Sequence, residues 1–416
     1  MFPQHKKRLH KHLHTVHHHL KRTLGFWLAS IDGIGIIVGA GIYALIGVAA
    51  GITGPALWMS FVVAGIIAGL TGLSYAELSS IFKTDAGEYD YLKKAFNKRL
   101  GLIVSIMIIF ATLFTAAAVS FAFGGYFERL TGYSVFWAAA ALLIISAIIN
   151  YLGIRQSTIV NVVLTTIGLA GLIVIIGIGL PSVGTVNLFE MPNGVSSIFR
   201  SAALVFFSYL GFESIIKLTE ETKKPAKNIP RAILFSITIS TILYTLVAVT
   251  AVSVIPWQSL GTSTSPLADI GLKTLGSSAF LAIGIIALFS TANTVLMQLV
   301  TSSRMIYGLG CEHALPQYLC EINEKTRTPL HAIIIVSLAS ILFLKIGNLE
   351  RLASLTNFFT FITFALVNFS VIVLRKTYPI KRPFKVPLEI FGIPILPLLG
   401  GLSSVGMLYF VVKGII

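Results

Sequence analysis

"GIGIIVGAGIYALIG", residues 33–47, lies inside the first long apolar run of the chain and carries five glycines, at 33, 35, 39, 41 and 47. Glycine in a helix interior costs up to about 1 kcal/mol relative to alanine. An apolar helix this rich in it is locally weak, and small residues also let two membrane helices approach closely. The stretch therefore reads either as a helix that breaks or as a packing face, and the rest of the chain decides between them.

Composition sets the surroundings. With 55% hydrophobic residues, 11% charged residues and a mean hydropathy of +0.87 over 416 residues, the apolar surface exceeds what one soluble core can bury. A soluble enzyme is excluded. Apolar runs long enough to cross roughly 30 Å of hydrocarbon as helices recur along the whole chain. We expect an all-α membrane protein of about eleven spans, near 24–50, 55–81, 101–127, 134–152, 157–180, 196–219, 231–255, 276–308, 330–346, 350–375 and 391–413. The first twenty-two residues are basic and His-rich and lack the apolar core and small-residue cleavage site of a signal peptide.

The formal charge of +15 suggests nucleic acid until its placement is read. Most Lys and Arg fall on the side of the N-terminal tail: "HKKRLHKHLHTVHHHLKR", the loop holding Lys83, Lys93, Lys94, Lys98 and Arg99, then Arg155, "KKPAKNIPR", "EKTRTP" and "RKTYPIKRPFKVP". The opposite loops hold Arg129, Arg200, Lys273, Lys345, Arg351 and Lys413. Cytoplasmic loops of membrane proteins carry such an excess, so the N-terminus is expected inside, the C-terminus outside for an odd span count, and the partner is a lipid bilayer and not nucleic acid. The expected location is the plasma membrane. Seven of the nine histidines lie in the first nineteen residues, a solvated basic tail suited to anionic lipid. Cys311 and Cys320 fall in a cytoplasmic loop on this topology and are expected as reduced thiols. With His313 they match no zinc spacing, so no metal is expected.

The sixth apolar run, "SSIFRSAALVFFSYLGFESIIKLTEE", is interrupted at Ser208, Gly211 and Glu213. Spans one and six thus carry matching interruptions. In transporters built from two inverted five-helix repeats, the first helix of each repeat is broken near the bilayer midplane, and the break binds substrate. Unwound backbone at that depth is tolerated only where it lines a cavity. A half-helix starting after a break offers N–H groups to an anion, and one ending before it offers carbonyls to a cation. An α-amino acid carries both charges a few ångströms apart. Gly39, Ala40 and Gly41 suit its carboxylate; the carbonyls of Ile37, Phe207, Ser208 and Leu210 suit its ammonium, with Val38 and Gly211 at the breaks themselves.

On these blocks, together with "LSYAELSSIFKTDAGEYDYLKKAF", "FFSYLGFESIIKLTEETKKPAKNIPRAI", "LFSTANTVLMQLVTSSRMIYGLGCEHALP" and "RPFKVPLEIFGIPILPLLG", the chain resembles the amino acid, polyamine and organocation (APC) superfamily of permeases. The resemblance implies a five-plus-five inverted-repeat (LeuT-like) core with broken helices 1 and 6, alternating access, and walls from spans three, eight and ten. It implies the partition 1–23 tail, 24–180 first repeat, 181–375 second repeat and 376–416 final span. By the same resemblance Gly39–Gly41 holds the carboxylate, Phe207 is an aromatic gate, and Glu213 is a proton-linked residue.

Two departures from the family pattern stand out. Sodium-independent relatives often place a lysine in span five, where this chain has Gly168 in "NVVLTTIGLAGL". Span eight instead offers Ala287, Ser290 and Thr291 on one helical face, the arrangement sodium-coupled relatives use against carbonyls near Gly35 and Val38; oxygen ligands suit a hard cation. The coupling ion is thus H⁺ or Na⁺, and no other cofactor is expected. The second departure is length, since most relatives have twelve spans.

Rival classes are weaker. An intramembrane protease needs paired Asp residues or His-Glu-x-x-His within spans; Asp32, at the mouth of span one, has no partner at depth. A non-transporting amino acid sensor would share the site, and a cation–chloride cotransporter would share the fold. The reading is a secondary amino acid transporter with proton- or sodium-coupled uptake or exchange, for neutral substrates because no acidic residue besides Glu213 lies at pocket depth; the alternatives are a sensor of the same fold or a carrier of cationic amino acids or polyamines. Oligomeric state is open.

Overall fold

In the computed structural model, which describes residues 24–82, 87–218, 222–312 and 314–415, the first apolar run is two helices and not one. α1 (Phe26–Ile37) and α2 (Ala40–Thr53) meet at 48° across Val38 and Gly39. The basic tail, Lys83, residues 219–221, His313 and Ile416 lie outside the described residues, as does the side chain of Arg155.

After the broken pair come α3 (Leu57–Ile81), the short amphipathic α4 (Glu88–Ala95), α5 (Lys98–Thr131), α6 (Val135–Leu152) and α7 (Ile154–Gly179). The sixth run is α8 (Ser196–Val205), continued by 3-10 turns over Phe206–Tyr209 and Phe212–Leu218. Then follow α9 (Pro225–Val254), two short helices α10 (Trp257–Thr262) and α11 (Pro266–Leu275), α12 (Ser277–Cys311), α13 (Leu330–Phe343), α14 (Leu349–Thr377), the two-residue strands β1 (Glu389–Ile390) and β2 (Ile393–Pro394), and α15 (Ile395–Ile415). Among the described residues nine helical segments are long and apolar enough to cross a membrane, and the broken pair makes a tenth. Of the eleven expected spans, 330–346 is the short one, ending in a 3-10 turn at Ile346. The protein is therefore an all-α, multi-pass membrane protein.

Local chemistry sets several boundaries. Asn97 caps α5 by accepting from Leu100 N at 2.9 Å, and Asn348 caps α14 through Arg351 N at 3.0 Å. Gly132 ends α5 in the left-handed conformation. The interior forms two apolar clusters, and consecutive residues of the sixth span divide between them: Phe206 packs with α3, α9 and α14, Phe207 with α2, α5 and α12. The sixth span thus runs between two packed bodies.

One end of the molecule is tied by a buried charge cluster. Glu77 of α3, fully buried, receives Arg375 through Nε at 3.0 Å and Nη2 at 2.5 Å, Val386 N at 2.7 Å, and lies 3.4 Å from Arg382 Nε. A buried carboxylate needs this satisfaction, because an unpaired one is strongly destabilising. The segment "RPFKVP" is thereby strapped across the end of α3, and Ser80 Oγ reaches Phe384 O at 3.3 Å beside it.

The structure corrects the expectation for the cysteines. Cys311 and Cys320 are joined as a disulfide, with Cα atoms 4.8 Å apart, and no cysteine among the described residues is free. The chain turns back immediately after α12, where Ala314 N and Leu315 N both bond to Leu309 O, and this turn brings the two together.

Candidate functional site

Both expected interruptions are present, and they touch. In the sixth span Leu210 is extended (φ −57°, ψ 139°) and Gly211 has φ +115°, a conformation that side chains rarely adopt. A Cβ on Gly211 would also lie 2.9 Å from Ile36 O, so the second break sits against the end of α1. Across the first break, a Cβ on Gly41 would lie 2.5 Å from Ser208 Cα and 2.8 Å from Ser208 Oγ. The glycines of the opening stretch are thus close-packing residues as well: Gly35 abuts Thr165 of α7, and Gly47 abuts Leu260 O at the end of α10. The helix breaks at Val38–Gly39, and the glycines on either side fit the two halves against different neighbours.

At the start of α2 the N–H groups expected to face a carboxylate are partly used. Gly39 N bonds to Ile37 O at 2.8 Å and Ala40 N to Thr294 Oγ1 at 3.2 Å. Gly41 and Ile42 N–H have no acceptor among the described residues, as the first turn of a helix leaves them. Ser208 Oγ, against Gly41, is buried and unpartnered. Two free donors at a helix N-terminus beside a free hydroxyl are chemically suited to an anion.

The carbonyls expected to hold an ammonium are also partly engaged. Tyr244 of α9 directs its hydroxyl to Ile37 O and Ser208 O, each at 2.9 Å. Phe207 O receives Leu210 N at 3.3 Å. Each carbonyl retains a second lone pair, so this restrains the breaks without exhausting their acceptors. Val38 is buried at the break, and Phe207, 4% exposed, belongs to the apolar cluster with Ala40, Ala44, Ala117, Val119, Leu204 and Val295. Asn357 of α14 donates to Ala203 O and Leu204 O at 2.7 and 2.9 Å, in the last turn of α8 before the sixth span changes pitch.

Glu213 folds back to accept from Gly211 N at 2.9 Å, which braces the second break. The expected sodium ligands are not assembled by any described contact. Thr291 bonds its hydroxyl back to Ala287 O at 2.7 Å, a common habit of threonine in membrane helices. Ser290 faces α7, where a Cβ on Gly168 would lie 3.0 Å from its hydroxyl. Gly35 lies on Thr165, whose hydroxyl receives Asn293 Nδ2 at 3.2 Å. Gly168, noted as the absent lysine, thus does face α12. Among the described residues no group of three or more His, Cys, Asp or Glu is placed to hold a metal.

Sequence reading missed Tyr244 and Thr294. Thr294 follows Ser290 and Thr291 by one turn, so the same helical face would have reached it. Tyr244 stands in "TILYTLVAV" with nothing in its spacing to mark it.

Comparison with known proteins agrees with the geometry. The profile described as "Amino acid permease" matches residues 24–415. The branched-chain amino acid permease BcaP of Bacillus subtilis is 31% identical, over 95% of this chain and 88% of its own length. The methylthioribose transporter of the same species is 29% identical over 91% and 86%. Cationic amino acid transporter 1 of Arabidopsis thaliana is 27% identical over 86% of this chain and 63% of its own length. The chain belongs to the amino acid permease family of the APC superfamily and is a membrane transporter, not an enzyme.

Proposed function

We propose that this protein is a secondary transporter of neutral α-amino acids working by alternating access between two inverted repeats, residues 24–180 and 181–375. The observation that carries the proposal is the apposition of the two breaks. Free N–H groups at Gly41 and Ile42 and the unpartnered Ser208 hydroxyl lie beside carbonyls of Ile37 and Ser208, so donors and acceptors are spaced for a zwitterion. The apolar residues around Phe207 favour an apolar substrate side chain, the class named for the bacterial branched-chain permease. Ile37, Val38, Gly39, Ala40, Gly41, Phe207, Ser208, Leu210 and Gly211 form the site, with Phe207 as its cover.

Coupling is to protons through Glu213, or to sodium at Gly35, Val38, Ala287, Ser290 and Thr291. A counterflow screen of the twenty amino acids in proteoliposomes tests the proposal. Exchange of neutral, branched or apolar amino acids is expected; accumulation of none would leave a sensor.

A further inference from the structure

The loop between α14 and α15 ends in an apolar tip that no described residue covers. In "PLEIFGIP", residues 387–394, strands β1 and β2 pair Glu389 with Pro394 and Ile390 with Ile393, which leaves Phe391 and Gly392 as a two-residue turn. Their φ angles are +49° and +75°, and one class of tight hairpin turn requires both to be positive. Gly392 adopts this freely. Phe391 does not, because a bulky residue at positive φ is a conformational outlier, and its side chain is wholly exposed. Leu388 repeats the pattern with φ +62° and an exposed side chain, and Ile390 is exposed between them. Packing within the protein gives no reason for an aromatic residue in this turn.

The tip is held firmly and close to the membrane. Just before it, Val386 N donates to Glu77 Oε2 at 2.7 Å, and Val386 O accepts from Arg375 Nη2 at 3.0 Å. Just after it, Ile395 N donates to Leu388 O at 2.9 Å. Ile395 is the first residue of α15, a helix long and apolar enough to cross a membrane. Phe391 is three residues of extended chain from Pro394, so the tip stands within about 10 Å of the start of that span. This distance is comparable to the headgroup layer of a bilayer.

Charge points to the same partner. Residues 375–394 carry five basic side chains, Arg375, Lys376, Lys381, Arg382 and Lys385, and one acidic, Glu389. Arg375 and Arg382 turn inward onto Glu77, and Lys385 and Arg375 neutralise Glu389. Lys376 and Lys381 are exposed and take part in no ion pair among the described residues. Lys94 of α4 adds a third cation, 4.5 Å over the ring of Tyr378. Exposed apolar side chains beside uncompensated lysines suit the surface of an anionic leaflet.

We propose that the β1–β2 hairpin is an interfacial anchor. Leu388, Ile390 and Phe391 seat among the headgroups of the leaflet on the Lys- and Arg-rich side, and Lys376 and Lys381 hold anionic phospholipid beside them. The anchor does not depend on what the protein carries.

The test places one fluorophore on the full chain in proteoliposomes. In a Cys311→Ser, Cys320→Ser background, Phe391→Cys carries an environment-sensitive label, and Glu324→Cys, exposed in a loop on the same Lys- and Arg-rich side, carries it as the control. Vesicles contain phosphatidylcholine alone or with phosphatidylglycerol, and a lipid spin-labelled near its headgroup is the quencher. The label at 391 is expected to be quenched at least about twofold more than the label at 324, increasingly so as phosphatidylglycerol is added. Lys376→Gln with Lys381→Gln should raise several-fold the phosphatidylglycerol fraction needed for half of that increase. Because the Phe391 side chain is wholly exposed, Phe391→Cys keeps the fold, which an unchanged melting temperature in detergent checks. Quenching at 391 no greater than at 324 would overturn the anchor. Quenching equal in neutral and anionic vesicles, and unchanged by the two lysine substitutions, would overturn its assignment to anionic lipid.

Discussion

The hydroxyl of Tyr244 lies 2.9 Å from the carbonyl oxygen of Ile37 and 2.9 Å from that of Ser208, so one side chain of α9 joins the broken segments of both discontinuous helices. Its ring is fully buried and packs at 5.3 Å from Tyr209 and 5.7 Å from Phe61. Tyr244→Phe keeps that packing and removes the one proton shared by two carbonyls. We expect a stability loss of about 1–3 kcal/mol, the penalty for leaving buried acceptors unpaired. Uptake should fall further than thermal stability does, measured as initial rate against the melting temperature in detergent. A variant with wild-type uptake would show that the joint plays no part in transport.

Gly41 is expected to tolerate no side chain. Even the alanine Cβ would meet Ser208 Cα, a backbone atom that cannot turn aside. Gly41→Ala should therefore lower folded yield as well as binding, and adding Ser208→Gly should not rescue it. Rescue by Ser208→Gly would mean that only the hydroxyl is in the way.

Glu213 has two roles to separate. Its bond to Gly211 N braces the break, and a carboxyl at this depth can also carry a proton. Glu213→Gln keeps a side-chain acceptor for Gly211 N and cannot titrate. We expect substrate binding to persist and uptake to lose its dependence on external pH. Identical pH profiles for variant and wild type would leave Glu213 as a brace alone.

Sodium is tested at α12. The Thr291 hydroxyl donates to Ala287 O and keeps its lone pairs for a cation; if coupling runs through Glu213, Thr291→Val should cost transport little, and replacing sodium by choline should leave wild-type uptake intact. Uptake that vanishes with sodium, and in Ser290→Ala, would restore the sodium site.

The strap after α14 gives a pH test outside the membrane. Lys385, hydrogen-bonded at 2.5 Å, and then Arg375 hold the Glu389 carboxyl below the ordinary carboxylate range. A depressed folded pKa means the contribution of Glu389 is complete above the ordinary value, near 4.3, and is lost as pH falls through the depressed one. Protection of the amides in residues 385–390, the exchange rate taken relative to the unstructured rate at each pH, should hold steady down to about pH 4 and fall only below it. A loss of protection already at pH 6 would contradict this assignment.

Much of this architecture was legible because membrane spans announce themselves by length and hydropathy, and because Gly211 and the Val38–Gly39 pair fall inside runs otherwise uniformly apolar. The sequence was silent where function lies in contacts between distant spans. Tyr244 is 207 residues from Ile37, and the pairing of Glu77 with Arg375 spans 298 residues. No periodicity encodes such distances. The glycines carry a second role that their spacing did not show: Gly41 packs against Ser208 of the sixth span. The cysteines misled because a sequence separation of nine residues says nothing about the turn that joins them.

The central claim is that the paired breaks recognise both charges of an α-amino acid. Competition against uptake of a neutral amino acid tests it directly, using three competitors: the free amino acid, its methyl ester, which lacks the carboxylate, and its N-acetyl derivative, which lacks the ammonium. The account predicts that only the free amino acid competes, with both blocked forms weaker by at least about tenfold, or 1.4 kcal/mol. Equal competition by either blocked form, or by an uncharged solute of the methylthioribose type, would contradict it.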